Sequence, residues 1–246
     1  IAANELLLFR QSIEGQNLQA FAKGTSDAKP FAVSFYVKGN ASATYVCELE
    51  DTENSRTVSK TFNVTTDWTR VELSFPADTT GTFDDDNAAS LHLQIWLHAG
   101  STWSSGTLNS SAFASTTNAN RAVGISSFFD STDRTFFITG VQLEIGQNPT
   151  SFEVEPFERT LAKCQRYFYI RGGTAYTPYG AGRSINTTRV RPIVPHLATM
   201  RSAPSVSATN VGNIVVEGNA VSSISNDVAT KINTMLNVDV SSGLTA

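Results

Sequence analysis

The stretch SLHLQIWLHAG, residues 90–100, gathers side chains that could hold a ligand. In steps of two, Leu91, Leu93, Ile95 and Leu97 fall on one side and His92, Gln94, Trp96 and His98 on the other. The first set is ordinary core. The second offers a flat indole to stack on the C–H face of a pyranose and planar polar groups to take its hydroxyls. Tyr36, with Ser34 and Lys38 in AVSFYVKG, would extend this platform if the two strands share a sheet. The same face could equally lie under the polar loop that follows it, or meet another subunit, because aromatics on a polar face serve any interface.

A second candidate is the acidic triplet Asp84-Asp85-Asp86, followed by Asn87. Hard carboxylate oxygens suit a structural calcium, with Asp84 and Asp86 as ligands. The alternating spacing of a calcium loop is missing, however, and three adjacent Asp cannot all point inward. A solvated turn is the competing reading. No other cofactor is expected.

Catalysis finds less. Glu48, Glu50 and Asp51 end an acidic strand, with Glu72 and Glu144 as further carboxylates, yet glycoside cleavage needs two acids set across a cleft. His92, His98 and His196 have no G-x-S-x-G nucleophile to partner. The expectation is that the chain is not an enzyme.

These side chains need strands to position them, and strands are what the patterning predicts. AVSFYVKG, TYVCELED, RTVSKTFNV, TRVELSFPA, LHLQIWLHA and RTFFITGVQLEIG alternate, separated by turn signals such as GNAS, DTENS and PADTTGTFDDDN. About seven antiparallel strands with one buried face each predict a β-sandwich. The Ser/Thr/Asn-rich stretch between Gly100 and Asn120 is too long for a passive hairpin.

At SFEVEPFERTLAKCQRYFYI, residues 151–170, the period changes. Pro156 suits a helix start, and Phe157, Leu161, Cys164 and Phe168 recur at helical spacing, so a short amphipathic connector is expected. Beyond it, short strand-like runs split by Gly, Pro and Asn predict a smaller β-domain with little core material. Such a domain is marginal alone and would gain from packing against copies of itself. In GGTAYTPYGAG, residues 172–182, two tyrosines in a glycine-flanked setting suit either a recognition loop or a plain strand and turn.

The bulk numbers narrow the classes. The 246-residue chain carries a net charge of −4 with Lys and Arg scattered singly, which argues against a nucleic-acid partner. No apolar run is long enough for a transmembrane helix, so no membrane insertion is expected. The start, IAANELLLF, lacks a Met and a basic n-region, as if the chain begins inside a longer or processed polypeptide. Cys47 and Cys164 are not spaced as a disulfide framework and read as two buried thiols of a reducing cytosol.

Several phrases together resemble the tail-fibre and prophage tail proteins of bacteriophages. They are residues 13–39, 75–101, 118–124, ITGVQLEIG at 138–146 and SFEVEPFERTLAKCQRYFY at 151–169. The most telling is the junction, in which a strand ending GVQLE-x-G is followed by a spacer and a connector with L-A-x-C-Q-R-Y. The resemblance covers about residues 10–205. It implies a carbohydrate-binding-module-like jelly roll on a homotrimeric fibre of the virion, made in the bacterial host cytoplasm. The partners implied are other tail or baseplate proteins and host surface polysaccharide.

The expected architecture is all-β. It has a jelly-roll β-sandwich over residues 1–150, a helical connector over 151–169 and a trimerising C-terminal β-domain over 170–246. The expected function is receptor binding on a phage tail fibre. The alternatives are a purely structural virion subunit and a fragment of a glycan-degrading tailspike.

Overall fold

The computed structural model describes residues 2–172, 179–216, 219–241 and 244. The chain forms two compact units, Ile1–Glu153 and Val154–Ala246.

The first unit is built from strands β1 (Leu6–Glu14), β2 (Phe31–Gly39), β3 (Ala43–Asp51), β4 (Arg56–Val64), β5 (Thr69–Phe75), β6 (Ala89–Ala99), β7 (Ala114–Ser115) and β8 (Phe136–Ile145). A single helical turn, α1 (Ser101–Ser104), follows β6. The strands make two antiparallel sheets, one in the order β1-β6-β3-β4-β7 and one in the order β5-β2-β8.

Period-two alternation builds the core between them. Val33, Phe35 and Val37 of β2 face Tyr45, Cys47 and Leu49 of β3 and Leu91, Leu93, Ile95 and Leu97 of β6 within one buried cluster. Phe21 stacks on Phe31 at 4.2 Å between ring centroids, and Phe62 meets Phe35 edge-on at 5.0 Å. Each fully buried side chain of this size contributes roughly 1.5–3 kcal/mol.

The opposite faces have different fates. The outer face of the five-stranded sheet is covered by the chain between β6 and β8. Asn109 accepts from the Ser59 N–H and donates through Nδ2 to Thr57 O, while Ser126 bonds Thr44 through both its backbone and its hydroxyl. This cover occupies backbone groups of Thr44 in β3 and along the outer edge of β4, where β7 also pairs with Arg56 and Thr57.

The second unit begins with helix α2 (Phe157–Gln165) and continues through β9 (Ala181–Asn186), β10 (Arg189–Pro195), β11 (Val215–Val216), β12 (Asn219–Ala229) and β13 (Asn233–Val240). These strands form one curled sheet in the order β11-β12-β13-β10-β9. Its buried cluster consists of Val194, Val221, Leu236, Val238, Val240 and Leu244. The opposite face keeps Ile185 and Ile193 exposed.

One expectation needs correcting here. Only Cys47 is buried; Cys164 is exposed on α2. The boundary between the two compact units lies between Glu153 and Val154, and α2 falls in the second. The tyrosine-bearing segment 172–182 falls mostly on 173–178, outside the described residues. Among the described residues no helix is long and apolar enough to cross a membrane.

Candidate functional site

The His92, Gln94, Trp96 and His98 face is not an open platform. Trp96 is 1% exposed and packs with Val46 and Ala122, flanked by Leu8, Trp103, Leu108 and Ile125. Arg121 reaches in from the covering loop and sets its guanidinium carbon 5.3 Å from the Trp96 ring centroid and 5.8 Å from that of Trp103. No face of the indole is left for a sugar. Most of the face's hydrogen-bonding groups are engaged as well.

Trp96 Nε1 donates to Glu48 at 2.6 Å, and Arg121 Nε donates to the same carboxylate at 2.8 Å. Glu50 pairs with Arg121 at 2.9 Å, accepts from Gln94 Nε2 at 2.5 Å and contacts His92 Nδ1 at 3.1 Å. Arg10 of β1 closes the row by donating to Gln94 Oε1. His98 Nδ1 contacts Ser127 Oγ at 2.9 Å, its ring lies edge-on to Phe129, and its buried Nε2 has no partner among the described residues. Burial pushes the Glu48 carboxyl up to about 7, against the pull of Arg121 and Trp96. Burial works the same way on Glu50, but His92 and Arg121 outweigh it and hold that carboxyl below its ordinary value.

The acidic triplet does not converge on a point. Asp84, Asp85 and Asp86 are all exposed, and Asp86 Oδ1 folds back to accept from the Ala88 N–H of its own turn. Among the described residues no three His, Cys, Asp or Glu side chains are placed to hold a metal. A nearby oxygen-rich cage is filled from within. Lys23 Nζ lies 2.6 Å from Asp51 Oδ2, 3.2 Å from Asp78 Oδ2 and 2.8 Å from the carbonyls of Thr80 and Gly81. The remaining carboxylates are also engaged: Glu72 with Arg70, and Glu144 with Gln142 and Thr150.

Tyr36 lies elsewhere. It belongs to the three-stranded sheet, so it cannot extend a Trp96 platform on the other sheet. Its own surroundings form a different face. Lys38 stands opposite Phe137 of β8, and Trp68 immediately precedes Thr69, the partner of Val37. Trp68, Lys38 and Phe137 therefore form a row across the three strands. The next row is Arg70, Tyr36 and Thr139. Trp68 is 51% exposed, Phe137 49% and Tyr36 36%.

Two local features shape this face. At Gly140 the β2–β8 register shifts between Ser34 and Tyr36, and Gly140 adopts φ +60°, as in a bulge that calls for glycine. A Cβ there would sit 3.2 Å from Tyr36 Cδ2 and 3.6 Å from Phe152 Cδ2. The chain after β8 then folds back over the far end of the sheet. Arg70 donates to Thr150 O, and Gln142 Oε1 accepts from the Glu153 N–H at 2.9 Å. Ala32 and Ser34 are buried, while the Trp68, Lys38 and Phe137 end stays open.

No family model, curated protein or solved structure matches the chain.

Trp68, Phe137 and Phe152 were not among the residues singled out from sequence. The signal for two of them was present. Extending TRVELSF by one step of two places Trp68 with Arg70 and Glu72, and the Phe136-Phe137 doublet must put one ring outward.

Proposed function

We propose that the chain is a receptor-binding subunit of a bacteriophage tail fibre that attaches to host surface glycan through the outer face of the β2 sheet. In this reading the two packed sheets are a carbohydrate-binding-module-like jelly roll, the assembly is a homotrimer on the virion, and no bond is cleaved. The observation that carries the binding role is the open row Trp68, Lys38 and Phe137 with Tyr36 beside it. A contiguous exposed aromatic patch marks an interaction surface, and flat rings flanked by polar groups match the two needs of a saccharide. The fibre setting is supported by the compound resemblance of the β8-to-α2 junction to phage tail proteins.

A trimer would turn weak single-site affinity into firm attachment, because each further contact forms at high effective concentration. The test is binding of multivalently displayed protein to glycan arrays and to bacterial cells, with Trp68→Ala as the control. Binding lost in Trp68→Ala and retained in Trp96→Phe is the expected result. Wild-type protein that binds neither glycan nor cell, even when clustered, would overturn the reading. Reducing-end release from a bound polysaccharide would replace it with a cleaving role.

The second reading, a structural virion subunit without ligand, draws support from the covered Trp96 face. It assigns the Trp68 row to contact with a neighbouring subunit.

A further inference from the structure

We propose that the glycan bound by this face is acidic, with a sugar carboxylate seated on Lys38 between rings stacked on Trp68 and Phe137. The proposal rests on the glycan-binding reading above and adds the chemical class of the ligand.

Lys38 carries it. Its Nζ lies 5.9 Å from the Trp68 ring centroid and 5.8 Å from that of Phe137. Both distances sit at the outer limit of a cation–π contact, so the rings place the ammonium without satisfying it. An ammonium has three N–H donors, and among the described residues no carboxylate or carbonyl accepts from Lys38. The contrast with Lys23 is direct, since that ammonium has two carboxylates and two carbonyls around it. Lys38 is a cation with hydrogen-bonding capacity left over, on a face where the neighbouring side chains are rings.

The spacing defines the ligand further. Trp68 and Phe137 flank β2 on either side, which sets them two strand spacings apart, or ~10 Å. That is about the length of a disaccharide unit in an extended chain. A first sugar stacked on one ring and a third on the other would hold the middle sugar above Lys38. A carboxylate on the middle sugar then completes an ion pair flanked by apolar rings, where water screens less than on an open surface. Thr139 and Arg70, in the adjoining row, lie beside the same track.

The probes are hyaluronan and polygalacturonate, each compared with its carboxyl-reduced form, applied to the full chain displayed multivalently. Expected are binding of an acidic polymer, a loss of about fivefold or more on carboxyl reduction, and weakening as salt rises. Lys38→Met should lower binding of the acidic polymer to the level of the reduced one and leave the reduced polymer unaffected, while Trp68→Ala lowers both. If Trp68→Ala abolishes binding but Lys38→Met and carboxyl reduction leave it intact, the acidic specificity is wrong and the glycan face stands. If neither polymer nor any arrayed glycan binds, both readings fall. They also fall if Trp68→Ala or Phe137→Ala dissociates an oligomer, because the face is then a subunit contact. Circular dichroism and the melting temperature of each variant separate a lost contact from a lost fold.

Discussion

Trp96 Nε1 donates a hydrogen bond to Glu48 Oε2 across 2.6 Å, in a site where both side chains are sealed from solvent. This bond makes the covered face of the first unit sensitive to pH. Burial raises the Glu48 carboxyl from 4.5 to about 7, so between those values the folded chain holds a proton that the unfolded chain has lost. The stability linked to that proton is fully present below pH 4.5 and is lost as pH rises through about 7. A tenfold difference in proton affinity between the folded and unfolded chain is worth about 1.4 kcal/mol. Glu50 acts in the opposite sense: its folded value is lowered, so its contribution is present above the ordinary carboxylate range and lost as pH falls. Urea denaturation at pH 5 and pH 8 should show wild type losing stability toward pH 8 and Glu48→Gln losing less. An identical slope in the variant would mean that Glu48 is ionised throughout the window.

Lys23 is an internal cation that ties three loops together. Its ammonium bonds Asp51 at the end of β3 and the carbonyls of Thr80 and Gly81, and Phe83 and Phe113 lie 5.2 and 5.8 Å from it. Lys23→Met keeps the stem but leaves Asp51 and Asp78 facing a cage without its central charge. Breaking a buried pair in this way costs about 3–5 kcal/mol, so the urea midpoint should fall steeply. A change under about 1 kcal/mol would show that water or a solution cation takes the place of the ammonium at little cost.

Much of this fold is readable from residue types, and the limits have physical causes. Alternation identifies the inner face of each strand because burying that face is the largest single gain. It also paired Trp96 correctly with His92, Gln94 and His98. What alternation cannot say is what lies over the other face. Arg121, Ala122 and Trp103 belong to a polar stretch without periodicity, so their packing on Trp96 depends on a long-range fold of the loop. Lys23 was equally hidden: an isolated Lys in AFAKGTSD reads as solvated until Asp51 and Asp78 are brought to it from 28 and 55 residues away. Trp68 and Phe137 could have been placed outward by period two, but only strand pairing puts Lys38 between them.

Gly140 shapes the open face through its backbone. At φ +60° a side chain is strained by roughly 1–2 kcal/mol, and a Cβ would also press on Tyr36 and Phe152. Gly140→Ala should therefore lower stability by about that amount and weaken any ligand held by the Tyr36 end of the row. Gly140→Asn separates the two effects, because Asn tolerates the left-handed region but still carries a Cβ. If Asn restores stability without restoring binding, the contact with Tyr36 is what matters. If both variants bind like wild type, Tyr36 lies outside the ligand track.

Helix α2 presents an exposed apolar stripe. Phe157 is 73% exposed and Leu161 40%, and Phe168 beyond the helix end is 70% exposed. These positions recur at helical spacing, and a nine-residue helix is too short to be stable on propensity alone. The curled sheet in the same unit has a small buried cluster and leaves Ile193 exposed on its opposite face, with Leu197 exposed just beyond β10. Each feature is explained if copies of the unit associate and bury helix stripe and sheet face together, as the proposed trimer requires. Sedimentation equilibrium should return three times the monomer mass of 26.5 kDa. Leu161→Glu should shift the protein toward monomer and lower its melting temperature, because a charge in a packed seam has no partner. Lys163→Glu, on an exposed position that pairs with Glu155, should leave the assembly intact. A wild-type chain that is monomeric at high micromolar concentration, with Leu161→Glu equally stable, would remove self-association as the reason for the stripe.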